Sequence, residues 1–267
     1  MVKKTLQYVR AFTIVELLVV VVIMGILISI TASADKVYLE SARVARATTF
    51  SVDAEAYLRA KTVNDATIPI GVWNFERVEG GVVADGSGYQ QPLSVGTNTL
   101  LSNDNHARLI DHKSLHINDS ESTATLTQLP ADAITVMFWY KNLDGNDHDY
   151  ILRTDGNWSF GWGGGATAMN SFRVNYPVNW SNSNYVRYPY PSDDTMWHHV
   201  LGTYDRATGT AKLFFDGYLQ DEQNIGDQSI QLGNNLIIGG DSVNGLIDDL
   251  RIFPIYFDLD GFRIQET

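Results

Sequence analysis

The sequence predicts an α+β chain: a long N-terminal α-helix, transmembrane in its first half and amphipathic in its second, followed by an all-β sandwich. Three observations carry this reading. An apolar run at residues 17–30 sits behind a basic flank, apolar residues then recur at helical spacing to about residue 62, and everything after Pro69 reads as short β-branched and aromatic runs between Gly, Asn and Asp clusters. A chain of 267 residues suits a stem plus one sandwich-sized domain.

The helix begins with Lys3, Lys4 and Arg10 ahead of the apolar run, which only Gly25 and Ser29 interrupt. A positive flank before an apolar helix reads as cytoplasm-in and membrane-spanning. Residues 12–30 come close to the roughly 20 that a helix needs to cross about 30 Å of hydrocarbon. The run is rich in Val and Ile, but in lipid every backbone polar group must be bonded within the segment, which a lone strand cannot do. The alternative is an ordinary secretory signal cleaved near Ala32-Ser33-Ala34. Against it stands Glu16, since a carboxylate in such a segment costs at least about 2.5 kcal/mol on insertion scales and a signal peptide has no use for it.

The stretch Ala11-Phe12-Thr13-Ile14-Val15-Glu16-Leu17-Leu18-Val19-Val20 resembles the N-terminal processing and methylation motif of type IV pilins and secretion pseudopilins. The resemblance implies cleavage between Ala11 and Phe12 by a prepilin peptidase, methylation of the new Phe12 amine, and retention of the helix. It implies residence in the bacterial cytoplasmic (inner) membrane before assembly, and in an extracellular pilus or periplasmic pseudopilus afterwards. Homologous pilin subunits are the implied partners, with Glu16 meeting the N-terminal amine of a neighbour, as a buried carboxylate is tolerated chiefly when paired. The other reading has Glu16 reaching the headgroups and favouring the helix N-terminus. Two positions depart from the family: Ala11 stands where glycine is usual, and Ser33 lies near where many pilins carry a kinking proline, the first proline here being Pro69.

Past the membrane half, Val37, Val44, Ala47, Phe50, Ala54 and Leu58 recur at helical spacing among Lys36, Glu40, Arg43, Arg46, Asp53 and Arg59. Residues 12–62 would extend about 75 Å at about 1.5 Å per residue, so the second half must lie against protein. The domain reading is therefore a leader at 1–11, a stem at 12–62 with its transmembrane half at 12–31, a linker at 63–69 and a sandwich at 70–267.

In the sandwich, Ala207-Thr208-Gly209-Thr210 separates two strand-like runs, and Asp216-Gly217 suits a tight turn that needs positive φ. Three segments in order resemble the laminin G-like, or concanavalin A-like, jelly-roll family. They are Ile134-Thr135-Val136-Met137-Phe138-Trp139-Tyr140, then Trp197-His198-His199-Val200-Leu201-Gly202-Thr203-Tyr204-Asp205, and finally Gly245-Leu246-Ile247-Asp248-Asp249-Leu250-Arg251-Ile252-Phe253. The resemblance implies an all-β jelly-roll sandwich and leaves function open, because this fold hosts lectins, adhesion modules, enzymes and spacers. Trp73, Trp139 and Trp197 are expected to fill it between strands.

Composition narrows the function. With 31 acidic against 19 basic residues, net charge −12, the body of the protein lacks the basic footprint that nucleic acid requires. With no cysteine, neither disulfides, thiolate metal sites nor a cysteine nucleophile are available. The superfamily's glycoside hydrolases use a compact Glu-x-Asp-x-x-Glu strand, which is missing, so no enzyme is expected. Adjacent strand residues point to opposite faces, which separates His198 from His199 and is expected to separate Asp248 from Asp249. No cofactor is required; calcium is the candidate ion, with Asp85 in the oxygen-rich loop Asp85-Gly86-Ser87-Gly88 and Asp248 as ligands, against an Asx turn and an Arg-paired or solvated carboxylate. Glycans are the candidate ligand of the aromatic, amide-rich stretch containing Trp180, Tyr185, Tyr188 and Tyr190, although such aromatics also fill cores. Together these features favour a type IV pilin-like filament subunit, major or minor, that displays a lectin-like, adhesive sandwich at the cell surface. The alternatives are a pseudopilin of a type II secretion or DNA-uptake machine, and a membrane-anchored glycan-binding module that forms no filament.

Overall fold

The structure, a computed structural model, describes residues 14–61, 69–106, 112–127, 132–144, 148–155, 158–162, 169–174, 184–189, 195–228, 230, 235–240 and 243–258. The chain divides into two compact units, Met1–Arg43 and Val44–Thr267.

The N-terminal unit holds the start of helix α1 (Ile14–Lys61). Its aliphatic side chains from Ile14 to Met24 are exposed. The transmembrane half expected at residues 12–31 is corrected here: among the described residues no helix is long and apolar enough to cross a membrane. The localisation built on that span, inner membrane first and pilus or pseudopilus later, loses its basis, as does the membrane-anchored alternative. Ala11, Phe12 and most of the expected linker lie outside the described residues, as does the side chain of Glu16.

In the second unit the strands are β1 (Gly71–Trp73), β2 (Val82–Val83), β3 (Leu93–Ser94), β4 (Leu100–Ser102), β5 (Ser114–Asn118), β6 (Glu121–Thr125), β7 (Ala133–Asn142) and β8 (His148–Thr154). They continue as β9 (Trp158–Trp162), β10 (Met169–Val174), β11 (Tyr185–Pro189), β12 (His198–Asp205), β13 (Thr210–Phe215), β14 (Tyr218–Asn224), β15 (Asn235–Gly239) and β16 (Asn244–Phe253). One sheet runs β14-β13-β12-β7-β16-β5-β4, with β1 added on β16; the other runs β11-β10-β9-β8-β15-β6-β3-β2. The ladders are antiparallel throughout.

The central strands β7 and β12 of the first sheet are buried on both faces, and that explains why β7 reads as an unbroken apolar run rather than an alternating one. Ile134, Val136, Phe138 and Tyr140 face the core between the sheets with Val200, Tyr204, Leu213, Phe160 and Phe172. Met137, alternating with them, meets Leu201, Phe214, Phe253 and Phe257 beneath Phe50, Ala54 and Leu58 of α1. Trp139 and Trp197 join Ala47 and Leu246 on that same helix-covered side. These two tryptophans therefore do not fill the space between the sheets; Trp73 and Trp158 do. Arg46 fastens the helix further, donating from Nε to the Asp216 carbonyl at 3.1 Å and from a guanidinium nitrogen to the Tyr218 hydroxyl at 2.7 Å. Glu55 pairs with Arg251 at 3.1 Å.

Two turns show local chemistry at work. Asp216 and Gly217 carry φ of 50° and 83°, both positive as a tight β13–β14 hairpin requires, and Gly209 at φ 70° closes the β12–β13 hairpin. Between the sheets, a Cβ on Gly202 would lie 2.6 Å from Phe160 and Phe172, so this glycine allows the two ring layers to close onto β12.

Candidate functional site

Two edge strands, β11 of one sheet and β14 of the other, approach each other along one side of the sandwich. Alternation on β11 sends Val186 into the core and leaves Tyr185 and Arg187 on the outer face of its sheet. Register then sets Arg173 opposite Tyr185 and Ser171 opposite Arg187 on β10, with Ser159 and Gly161 of β9 next along. Across the seam, Asp221 and Gln223 come from β14.

Tyr185, Arg187, Asp221 and Gln223 line an open pocket of about 210 Å3. The Arg187 backbone N–H donates to Asp221 Oδ2 at 3.0 Å, which satisfies an edge-strand donor and ties the two sheets together. The Gln223 side-chain amide donates to Asp221 Oδ1 at 2.9 Å. The Arg187 guanidinium lies 5.5 Å from the Tyr185 ring centre and reaches its hydroxyl at 3.4 Å. Arg173 lies 5.7 Å from the same ring. The pocket thus offers an aromatic ring, guanidinium donors, a carboxylate acceptor and an amide, a set suited to a polyhydroxylated ligand with apolar C–H faces.

Of the sequence-nominated aromatics, Tyr185 is the one that lines this pocket. Tyr188 turns to the inner face, partly buried against the core with its ring 5.4 Å from Phe215. Trp180 and Tyr190 lie outside the described residues. Arg187, Asp221 and Gln223 were not foreseen. Period-two alternation from Tyr185 could have nominated Arg187, whereas no local signal joins β14 to β11.

The two calcium candidates fall into separate networks. Asp85 Oδ1 accepts from the backbone N–H of Val72 at 3.0 Å and of Ser87 at 2.8 Å, while Oδ2 accepts from the Ser87 hydroxyl at 2.5 Å and the Gln91 N–H at 3.1 Å. Its carboxylate organises the loop as an Asx turn with extra partners. Asp248 is buried and meets His106 Nδ1 at 2.8 Å. Among the described residues no group of three or more His, Asp or Glu could hold a metal ion. The expectation that Asp248 and Asp249 face opposite ways is overturned, because Asp249 Oδ2 lies 3.6 Å from Nε2 of the same imidazole. The register shifts between Asp248 and Arg251 and Asp249 takes φ 49°, a bulge that breaks the alternation.

The shifted protonation equilibria lie away from the pocket. Burial pushes the Asp248 carboxyl up to about 6, against the pull of His106. Burial drives His199 down to about 3. His199 packs at 5.8 Å from Phe50 and 5.2 Å from Trp139, and neither ring nitrogen has a hydrogen-bond partner among the described residues. His198 points the other way, to Asp216 Oδ2 at 2.8 Å and onto the Phe215 ring at 4.7 Å. Asp216 and Asp248 are thus both held by histidines in buried surroundings, an arrangement that serves packing and offers no acid–base pair to a bound substrate.

A family model described as the concanavalin A-like lectin/glucanases superfamily matches residues 116–257, and one described as the prokaryotic N-terminal methylation motif matches residues 6–32. No curated protein matches the chain. Among solved structures, the binding domain of botulinum neurotoxin DC in complex with SialylT aligns at 17% identity and TM-score 0.55, over 73% of this chain and 50% of that one. The binding domain of paraclostridial mosquitocidal protein 1 aligns at 16% identity and TM-score 0.52, over 72% of this chain and 50% of that one. Domain 4 of AbnA, an extracellular arabinanase of family GH43 from Geobacillus stearothermophilus, in complex with arabinotriose, aligns at 15% identity and TM-score 0.52, over 73% of this chain and 97% of that one. This chain spans about half the length of the toxin binding domains it matches. At these identities the likeness is one of fold.

Proposed function

Because the chain belongs to the concanavalin A-like lectin/glucanases superfamily, we propose that its sandwich is a non-catalytic carbohydrate-binding module whose ligand seat is the pocket between β11 and β14. The observation that carries the reading is the lining of that pocket, where Tyr185 supplies an aromatic face and Arg187, Asp221 and Gln223 supply donors and acceptors around it. Two structures of similar fold were solved with named ligands, arabinotriose for the arabinanase domain and SialylT for the neurotoxin domain, which supports a sugar over other small molecules. The test is a glycan array probed with the full-length chain and with Tyr185→Ala. Tyr185 is partly exposed, so its loss should abolish array signal and leave the melting temperature unchanged. Undiminished array binding by Tyr185→Ala would move the ligand elsewhere, and a silent array for the parent chain would end the proposal.

A second reading concerns the N-terminus and rests on the methylation-motif match at residues 6–32. The chain is a pilin-like subunit, processed by a prepilin peptidase, whose exposed aliphatic segment from Ile14 to Met24 packs against the same segment of homologous subunits. Glu16→Ala should leave the sandwich folded and stop recovery of the chain in a sheared filament fraction. Normal recovery of that variant would remove the pairing role of Glu16.

A further inference from the structure

We infer that the pocket between β11 and β14 takes a single neutral sugar residue, held by a pair of neighbouring ring hydroxyls that donate to the Asp221 carboxylate; the inference rests on the carbohydrate reading of the same site. The pocket's volume of about 210 Å3 falls below the roughly 300–1,000 Å3 of sites that enclose a drug-sized ligand. It suits one sugar ring and, being open, leaves any further residues of a glycan outside it. The Tyr185 ring, partly exposed on the outer face of its sheet, supplies apolar surface for the C–H side of that ring.

Asp221 decides which groups of the sugar face it. An ionised carboxylate only accepts, at about four lone-pair sites. Among the described residues, Oδ2 takes the Arg187 backbone N–H and Oδ1 takes the Gln223 amide, which leaves about two sites, one on each oxygen. Both oxygens belong to one partly buried carboxyl group, so the donors that complete them must sit side by side. Two hydroxyls on adjacent ring carbons meet that condition. The two bonds within the chain also fix the carboxylate before a ligand arrives, so little side-chain freedom remains to be lost on binding. Gln223, held through one amide N–H, keeps a second N–H and its carbonyl for the same ring. The Arg187 guanidinium is turned to the Tyr185 hydroxyl and balances Asp221, so the four lining side chains carry no net charge. A ligand carboxylate would enter against Asp221 in a chain of net charge −12, and with no proton to give it could not use the open sites on that residue.

The experiment titrates the full-length chain, by ligand-observed NMR, with the methyl glycosides of glucose, galactose, mannose and arabinofuranose and with those of glucuronate and galacturonate. At least one neutral glycoside should bind, and the uronates should bind about fivefold or more weakly than the tightest neutral one at low salt. Singly deoxygenated forms of that glycoside should locate the pair: loss of either of two adjacent hydroxyls should weaken binding about tenfold or more, as expected for bonds to a charged acceptor, and loss of any other should matter much less. In Asp221→Asn that penalty should shrink, a coupling that a purely structural role for Asp221 would not produce. Uronates that bind as tightly as the neutral glycosides, or a deoxygenation map without two adjacent positions, would overturn this inference and leave the sugar reading standing. Penalties unchanged in Asp221→Asn would take the hydroxyl pair off Asp221 and overturn it likewise. Failure of every probe to bind would overturn both readings.

Discussion

Replacing His199 by leucine tests whether the helix-covered face of the sandwich is as dry as its packing indicates. The imidazole is fully buried between Phe50 of α1 and Trp139 of β7, without hydrogen-bond partners among the described residues. Burial is the main force holding its pKa down to about 3; His106 and Arg251 push the same way and Asp216 pulls against them. A histidine with a depressed folded pKa takes its proton first in the unfolded chain, near 6.5. Its neutral state is therefore harmless above pH 6.5, and stability falls as pH drops from 6.5 toward 3. At about 1.4 kcal/mol per unit of separation, the loss reaches about 3 kcal/mol by pH 4.5 and roughly 5 kcal/mol in full. Asp248 works in the opposite sense. Its folded pKa of about 6 exceeds the ordinary 3.8, so the folded chain protonates first and gains about 2 kcal/mol on the way down to pH 4.5. The parent chain should thus tolerate mild acid, the two effects nearly offsetting. His199→Leu removes one of them and leaves Asp248 in place. Urea unfolding followed by tryptophan fluorescence should show the variant gaining about 3 kcal/mol over the parent between pH 7.5 and pH 4.5. A stability difference that stays constant across that range would mean that His199 protonates while folded, and the dry-interface reasoning would fail.

Three further substitutions probe the remaining structure. Phe50→Ala removes a ring packed 5.6 Å from Phe214 and 5.8 Å from Phe257; a loss of about 3–5 kcal/mol in urea unfolding is expected, and a loss under about 1 kcal/mol would show that the helix does not need this contact. Gly202→Ala drives a methyl into Phe160 and Phe172 and should cost about 1–3 kcal/mol or more, read as a lower melting temperature; an unchanged value would mean the ring stack yields freely. Asp85→Ala strips the loop's N–H and hydroxyl donors of their shared carboxylate and should cost roughly 1–3 kcal/mol, equally with calcium or with chelator present. A melting temperature that rises with millimolar calcium in the parent and not in the variant would instead assign Asp85 the role of a calcium ligand.

How much of this was legible in the sequence follows from the range over which each determinant acts. The turn at Asp216-Gly217 and the hairpin at Gly209 were readable because positive φ is a single-residue requirement. The helical spacing of Ala47, Phe50, Ala54 and Leu58 was readable because one face of one helix carries it. The same local reading misjudged Trp139 and Trp197, since a strand buried on both faces gives no cue as to which aromatics meet the opposing sheet and which meet a helix. It misjudged Asp248 and Asp249 as well, since a bulge leaves no mark in the residue order. The membrane-spanning expectation rested on hydropathy along residues 12–31, whereas no described helix is long and apolar enough to cross a membrane.

The candidate site was half visible for a related reason. Tyr185 and Arg187 share a face by alternation alone, so one strand's residues were within reach of sequence argument. Asp221 and Gln223 enter only because the two sheets have free edges that meet on the same side, an outcome of strand order. The bond between the Arg187 N–H and Asp221 connects the two levels. An edge strand must hide its unpaired N–H groups, and here a carboxylate from the opposite sheet does so. That same carboxylate then becomes one wall of the pocket, so the device that closes the fold at this edge also supplies a polar group for a ligand. Asp221→Asn, which keeps the acceptor and removes the charge, should therefore leave folding intact while altering glycan affinity. Asp221→Ala should disturb both, and equal effects of the two substitutions on stability would separate the seam from the site.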